Sequence, residues 1–126
     1  MTVLDKDVVD DIGYRDEEKA AYLITYDHLM WHEDVEEEHF KILQDKLNAY
    51  FIFIQTGQVD EQFPQKEIKE YVILICFLYP PTKYAKVFLR AAQKTAKKLN
   101  TKIRYLVTDE GFDKYRYKLF QCLWCK

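Results

Sequence analysis

Residues 68–99 read IKEYVILICFLYPPTKYAKVFLRAAQKTAKKL, and their reading decides the fold. Ile68–Tyr79 is a long strand whose centre, Val72 to Phe77, is apolar at every position. Alternation of apolar and polar residues marks a strand with one wet face, whereas an unbroken apolar run marks one covered on both. This strand is therefore central in its sheet. Pro80 and Pro81 end it, because proline has no amide hydrogen to give to a ladder. Thr82 then offers a capping oxygen, and a helix runs to about Leu99. Its buried stripe is Tyr84, Phe88, Ala91, Ala92 and Leu99, while Lys83, Lys86, Arg90, Lys94, Lys97 and Lys98 make its outer surface basic.

Upstream lies the most strongly periodic element of the chain. Phe40, Leu43, Leu47, Phe51 and Ile54 recur at three- and four-residue steps, which predicts a helix over residues 35–56. Asp34 followed by Glu37 resembles a capping box, and Glu36, Glu37 and Glu38 set negative charge at the positive end of the helix dipole. Gly57 stands where a left-handed cap would stop it. Val8, Val9, Ile12 and Tyr14 form a first strand, Arg15–Lys19 a hairpin loop, and Ala21–Tyr26 a second strand with Ala21, Leu23 and Thr25 on one side. Residues 58–65 read as a polar loop. Downstream, Lys102–Thr108 is a fourth strand; in residues 109–126, Phe112, Tyr115, Leu119 and Leu123 fit a helix while Tyr115, Tyr117 and Leu119 also fit a strand, and a C-terminal helix is the favoured reading. The order β-β-α-β-α-β predicts an α+β fold: a twisted, mainly antiparallel four-stranded sheet with two helices on one face and a helix at the C-terminus. A crossover through residues 82–99 would make the third and fourth strands parallel.

Size sets limits on everything else. A chain of 126 residues, 48% apolar and 16% aromatic, is one domain (residues 1–126, with 109–126 an extension) that has enough aromatic area for a core. Residues 1–11 carry five charges and no apolar run of signal-peptide length, and the longest apolar stretch is too short to span a bilayer. Three cysteines without an export signal argue against a disulfide framework, so the expected compartment is the cytoplasm.

The net charge of −2 conceals an asymmetry along the chain. Residues 1–70 hold 18 acids and 7 bases; residues 71–126 hold 3 acids and 12 bases. Such segregation points either to an electrostatic partner or to two halves that neutralise each other within the fold.

The segments Asp27-His28-Leu29-x-Trp31, Glu37-Glu38-His39 and Leu43-Gln44-x-Lys46-Leu47-Asn48-Ala49-Tyr50 resemble those of a small bacterial family of uncharacterised proteins. The resemblance includes Val3-Leu4-Asp5 and Tyr79-Pro80-Pro81 and spans roughly residues 3–108. It implies fold and bacterial origin, and it transfers no catalytic residue.

Motifs for catalysis are wanting. His28 and His32 are four apart, with Glu33, Asp34 and His39 near, but they precede the helix cap and lack the order of a zinc hydrolase. Cys122-x-x-Cys125 lies one residue from the chain's last position instead of at a helix N-terminus, where a dipole would lower a thiol pKa. The three glycines stand apart and no serine occurs, so neither a phosphate-cradling loop nor a serine nucleophile is present. No catalytic residue, metal or cofactor is implied.

A binding protein is the reading that remains. Asp5–Glu38 carries 13 acids against three bases, which suits an immunity or antitoxin protein that neutralises a basic toxin. Glu33, Asp34, Glu36, Glu37 and Glu38 are the expected contacts, with Trp31 as an aromatic anchor. The alternative is a nucleic-acid-associated regulatory domain using the basic 83–118 surface, where Tyr105, Tyr115 and Tyr117 interleave with bases. A third reading is a homodimer paired through Phe120, Leu123 and Trp124.

Overall fold

The computed structural model describes residues 2–108. Its elements follow in the order β1 (Asp11–Arg15), β2 (Ala20–Asp27), α1 (Glu36–Gln55), α2 (Gln58–Gln62), β3 (Glu70–Phe77), α3 (Lys83–Lys97) and β4 (Thr101–Val107). The strands lie side by side in sequence order, β1-β2-β3-β4. The C-terminal helix expected over residues 109–126, the Cys122/Cys125 pair and the Phe120, Leu123 and Trp124 patch all fall outside the described residues.

The sheet is mixed, and this corrects the mainly antiparallel expectation. Only β1 and β2 pair antiparallel; β2–β3 and β3–β4 are both parallel. Length explains it. The eight residues of β2 advance the chain by roughly 26 Å at about 3.3 Å per residue. The 20 residues of α1 carry it back by about 30 Å at about 1.5 Å per residue. A helix of that length returns the chain to the end from which β2 began, so β3 must run beside β2 in the same sense. The α3 crossover repeats the operation for β4, as the sequence suggested.

Both crossovers step across the sheet in the same direction. Since such connections are right-handed, α1 and α3 must lie on one face. They do: Leu43, Leu47, Phe51 and Ile54 of α1 share a buried cluster with Leu89 and Ala96 of α3 and with Leu23, Ile73, Ile75 and Phe77 of the sheet. The opposite face carries a second buried cluster of Ala20, Tyr22, Ile24, Tyr26, Val72, Leu74 and Cys76. Every residue of β2 is buried, and the apolar run of β3 is covered on both faces, as its composition required.

Several local details differ from expectation. Helix α1 begins at Glu36 with Val35 as N-cap, and no side chain caps it. Asp34 does not close a capping box; its amide donates to Nδ1 of His32 at 3.3 Å. The three glutamates of the first turn are what offset the dipole there. Gly57 takes φ 79° as expected, but it passes directly into α2 where a loop was expected, and Val59 of α2 is buried. On α3 the buried positions are Ala85, Leu89 and Ala96, while Tyr84 and Ala91 face solvent. Thr82 caps it, its Oγ1 accepting from the Ala85 amide at 3.1 Å.

Candidate functional site

Helices α1 and α3 both start at the end of the sheet where the parallel strands finish. Three chain segments meet there: the N-terminal turn, the β2–α1 connection and the first turn of α1. In open sheets with parallel strands, this end is where ligands usually bind.

Two buried polar side chains of α1 hold those segments in place. His39, only 2% exposed, lies in phase with Leu43, Lys46, Leu47 and Tyr50 on the buried face. Its Nε2 is 2.5 Å from Oδ2 of Asp27, the last residue of β2 and fully buried. The carboxylate fixes Nε2 as the protonated nitrogen. The other Asp27 oxygen accepts from the Leu29 amide at 3.0 Å, and the Asp27 carbonyl accepts from Leu78. One aspartate thus turns the chain out of β2 and ties it to α1 and to the end of β3. Trp31 lies flat on the His39 ring, with centroids 3.6 Å apart and planes 17° from parallel. It also touches Phe40 and Phe77. Two nitrogens of this stack, Nδ1 of His39 and Nε1 of Trp31, are buried and have no hydrogen-bond partner among the described residues.

Lys46 is the second anchor. It is completely buried, and its ammonium donates to Asp10 Oδ1 at 2.8 Å, to the Val8 carbonyl at 2.6 Å and to the Asp5 carbonyl at 2.5 Å. Asp10 in turn accepts from Thr25 Oγ1 at 2.7 Å and the Tyr26 amide at 3.2 Å. Every proton of the ammonium is used. The segment ahead of β1 is therefore clamped across α1 and β2.

Beside these anchors an open cavity of about 260 Å³ is lined by Leu4, Leu29, Met30, Val35, Glu38, His39 and Ile42. Leu4, Met30 and Val35 are 54%, 56% and 42% exposed. Exposed apolar side chains scattered singly mean little, but three around one hollow form a patch.

Of the residues expected to contact a partner, Glu38 alone lines this cavity. Glu33, Glu37 and Glu38 are exposed, and among the described residues no cation lies within ion-pair distance of them. Asp34 is exposed and sits 3.5 Å from His32 Nδ1. Glu36 is half-buried and accepts from Thr82 Oγ1 at 3.0 Å, which joins the starts of α1 and α3. Trp31 is half-buried against His39 instead of standing free in solvent. Among the described residues, most ion pairs join members of the same part of the chain. Ion pairs such as Asp10–Lys46, Asp16–Lys66 and Glu67–Lys19 stay within the first 70 residues, while Glu70–Lys102 crosses to the second part.

In the sequence His39 stands out only as a neighbour of the His28/His32 pair, and Leu4, Met30 and Val35 carry no signal of an exposed patch. Helical phase held the signal for His39, since it stands four residues before Leu43. Of the metal candidates, His28 is half-buried with Nδ1 unpartnered, and His32 is exposed. Among the described residues, no three His, Cys, Asp or Glu side chains converge as metal ligands. None of the described helices is long and apolar enough to cross a membrane.

The segments that carry the resemblance, Asp27–Trp31 and Glu37–Tyr50, are those that build this site. A family of unknown function, DUF6572, matches residues 1–109. The chain belongs to that family. DUF6572 thus takes in the whole sheet, both anchors and the cavity. No curated protein and no solved structure matches the chain.

Proposed function

We propose that this DUF6572 chain is a small non-enzymatic binding protein of the immunity or antitoxin kind, whose acidic surface at the start of α1 neutralises a basic toxin partner. One observation carries the reading: Glu33, Glu37 and Glu38 stand in solvent, Glu38 in the wall of an apolar hollow, and among the described residues no cation lies within ion-pair distance of them. Uncancelled carboxylates of one sign speed encounter with a cationic surface and repel wrong partners. The apolar hollow supplies what charge alone does not, a place for desolvated contact. The test is association with a cationic protein encoded beside this gene, measured against salt. Reversing Glu33, Glu37 and Glu38 to Lys should slow association and weaken binding by at least about a hundredfold. A neighbouring basic protein that binds the reversed variant equally well removes the proposal.

A second reading rests on α3, where Lys83, Lys86, Arg90, Lys94 and Lys97 are exposed along one helix. Nucleic acid would be its ligand. Low-salt mobility shifts unchanged after Lys94, Lys97 and Lys98 become Glu would dispose of it.

A further inference from the structure

We infer that the cavity between the N-terminal turn and α1 is a receptor for a single basic side chain, a lysine or arginine of a protein partner; this rests on the protein-binding reading above. Size speaks first. At about 260 Å³ the hollow falls below the roughly 300–1,000 Å³ of drug-sized ligand sites, and it matches one side chain better than a cofactor.

The chemistry of the lining then selects the side chain. Leu4, Leu29, Met30, Val35 and Ile42 offer an apolar sleeve, which suits the methylene stem that lysine and arginine lay against apolar surfaces. One group in the wall wants a donor. The Glu38 carboxylate has no cation among the described residues, and a purely apolar guest would strip its water without replacing it. The His39 ring in the same wall is engaged through Nε2 by Asp27 and its Nδ1 is buried, which leaves Glu38 as the group that takes the cation. An ammonium brings three donors and a guanidinium five; neither an aliphatic nor an acidic side chain brings any. Glu33, Asp34 and Glu37, exposed within five residues of Glu38, add potential of the same sign.

The experiment titrates the full-length, isotopically labelled protein with N-acetyl-arginine amide, N-acetyl-lysine amide and uncharged N-acetyl-norleucine amide. NMR follows the backbone amides of Val35, Glu38 and Ile42 and the Trp31 indole N–H. At least one cationic probe should saturate these signals in the millimolar range, and norleucine amide should bind at least about tenfold more weakly. Glu38→Gln should cost about tenfold for the cation and leave norleucine unchanged. This carboxylate is exposed, so the variant keeps its fold, and unchanged amide dispersion verifies that. Norleucine binding as well as arginine, or shifts that spread over the acidic surface without saturating, would overturn the inference. Charge reversal of Glu33 and Glu37 separates the two readings. If it abolishes binding of a basic protein while the small probes never enter the cavity, only the cavity inference falls. If the probes enter and no basic partner associates, the partner reading falls instead.

Discussion

Replacing Lys46 by Met should unfold a large part of the population in mild denaturant, and the reason can be counted from its partners. The ammonium is fully buried, and its protons go to Asp10, Val8 and Asp5. Methionine keeps the stem and removes all three donors. Asp10 would then retain a buried carboxylate with only Thr25 and Tyr26 to hold it, and two carbonyls would lose their bonds. Breaking a buried pair by deleting one partner costs about 3–5 kcal/mol. A domain of this size is stable by about 5–15 kcal/mol in total, so the variant should be marginal.

Asp10→Asn is the companion change, since the amide keeps an acceptor for Thr25 or Tyr26 while removing the charge. In Lys46→Met/Asp10→Asn the stranded charge is gone, and the double variant should lose less than the sum of the single losses by roughly 1.5–3 kcal/mol. Equilibrium urea unfolding followed by far-UV circular dichroism gives all four stabilities. A Lys46→Met loss under about 0.5 kcal/mol, the scale of an ordinary surface change, would refute the reasoning. So would strict additivity in the cycle.

Other outcomes follow from single features of the structure. His39→Ala removes the partner of buried Asp27 and should cost about 1.5–3 kcal/mol, with a shift in Trp31 emission as the stacked ring is lost. Gly57→Ala meets no atom within 4 Å, so its cost is the positive φ alone, about 1–2 kcal/mol by urea unfolding. Burial pushes the Cys76 thiol up to about 12, so in a Cys122→Ser/Cys125→Ser background it should resist alkylation at neutral pH until the protein unfolds. Burial also raises the Tyr22 and Tyr71 hydroxyls to about 12, with the hydrogen bonds to Glu18 and Asp60 adding to the effect. A raised folded-state pKa favours the neutral form, so their contribution is complete below pH 10 and fades as pH climbs through 12. Ultraviolet titration of phenolate against unfolding by circular dichroism tests that order.

How much of this could be read from the chain depended on how strong each local signal was. The apolar block Val72–Phe77 admitted one reading, and the hairpin around Arg15–Lys19 followed from alternation on either side. Strand sense was also within reach, because a helix as long as α1 between two strands must bring the chain back to its starting edge. Composition obscured it: an antiparallel start invites an antiparallel continuation. The buried polar residues were hidden for a different reason. Lys46 and His39 sit on the inward face of α1, but charge and polarity mark a position as outward unless its partners are known. Those partners, Asp10 and Asp27, are 36 and 12 residues away, and only the fold joins them.

These two anchors bear on the site as well as on stability. The cavity is bounded by Leu4 on one side and by Leu29 and Met30 on another. Lys46 grips the carbonyl of Asp5, next to Leu4, and Asp27, held by His39, grips the amide of Leu29. Helix α1 therefore fixes both walls with its own buried side chains while presenting Glu38 between them. A guest entering such a hollow loses its own freedom but need not order the receptor, and that saving is what a preformed site contributes to affinity. It follows that Lys46→Met should weaken cation binding even under conditions where the variant remains folded, because the Leu4 wall is released. Asp16→Asn, which breaks the exposed pair with Lys66, should leave it alone. Equal binding by folded Lys46→Met and the parent protein would mean that the walls hold without the clamp, and the link drawn here between the buried lysine and the site would be lost.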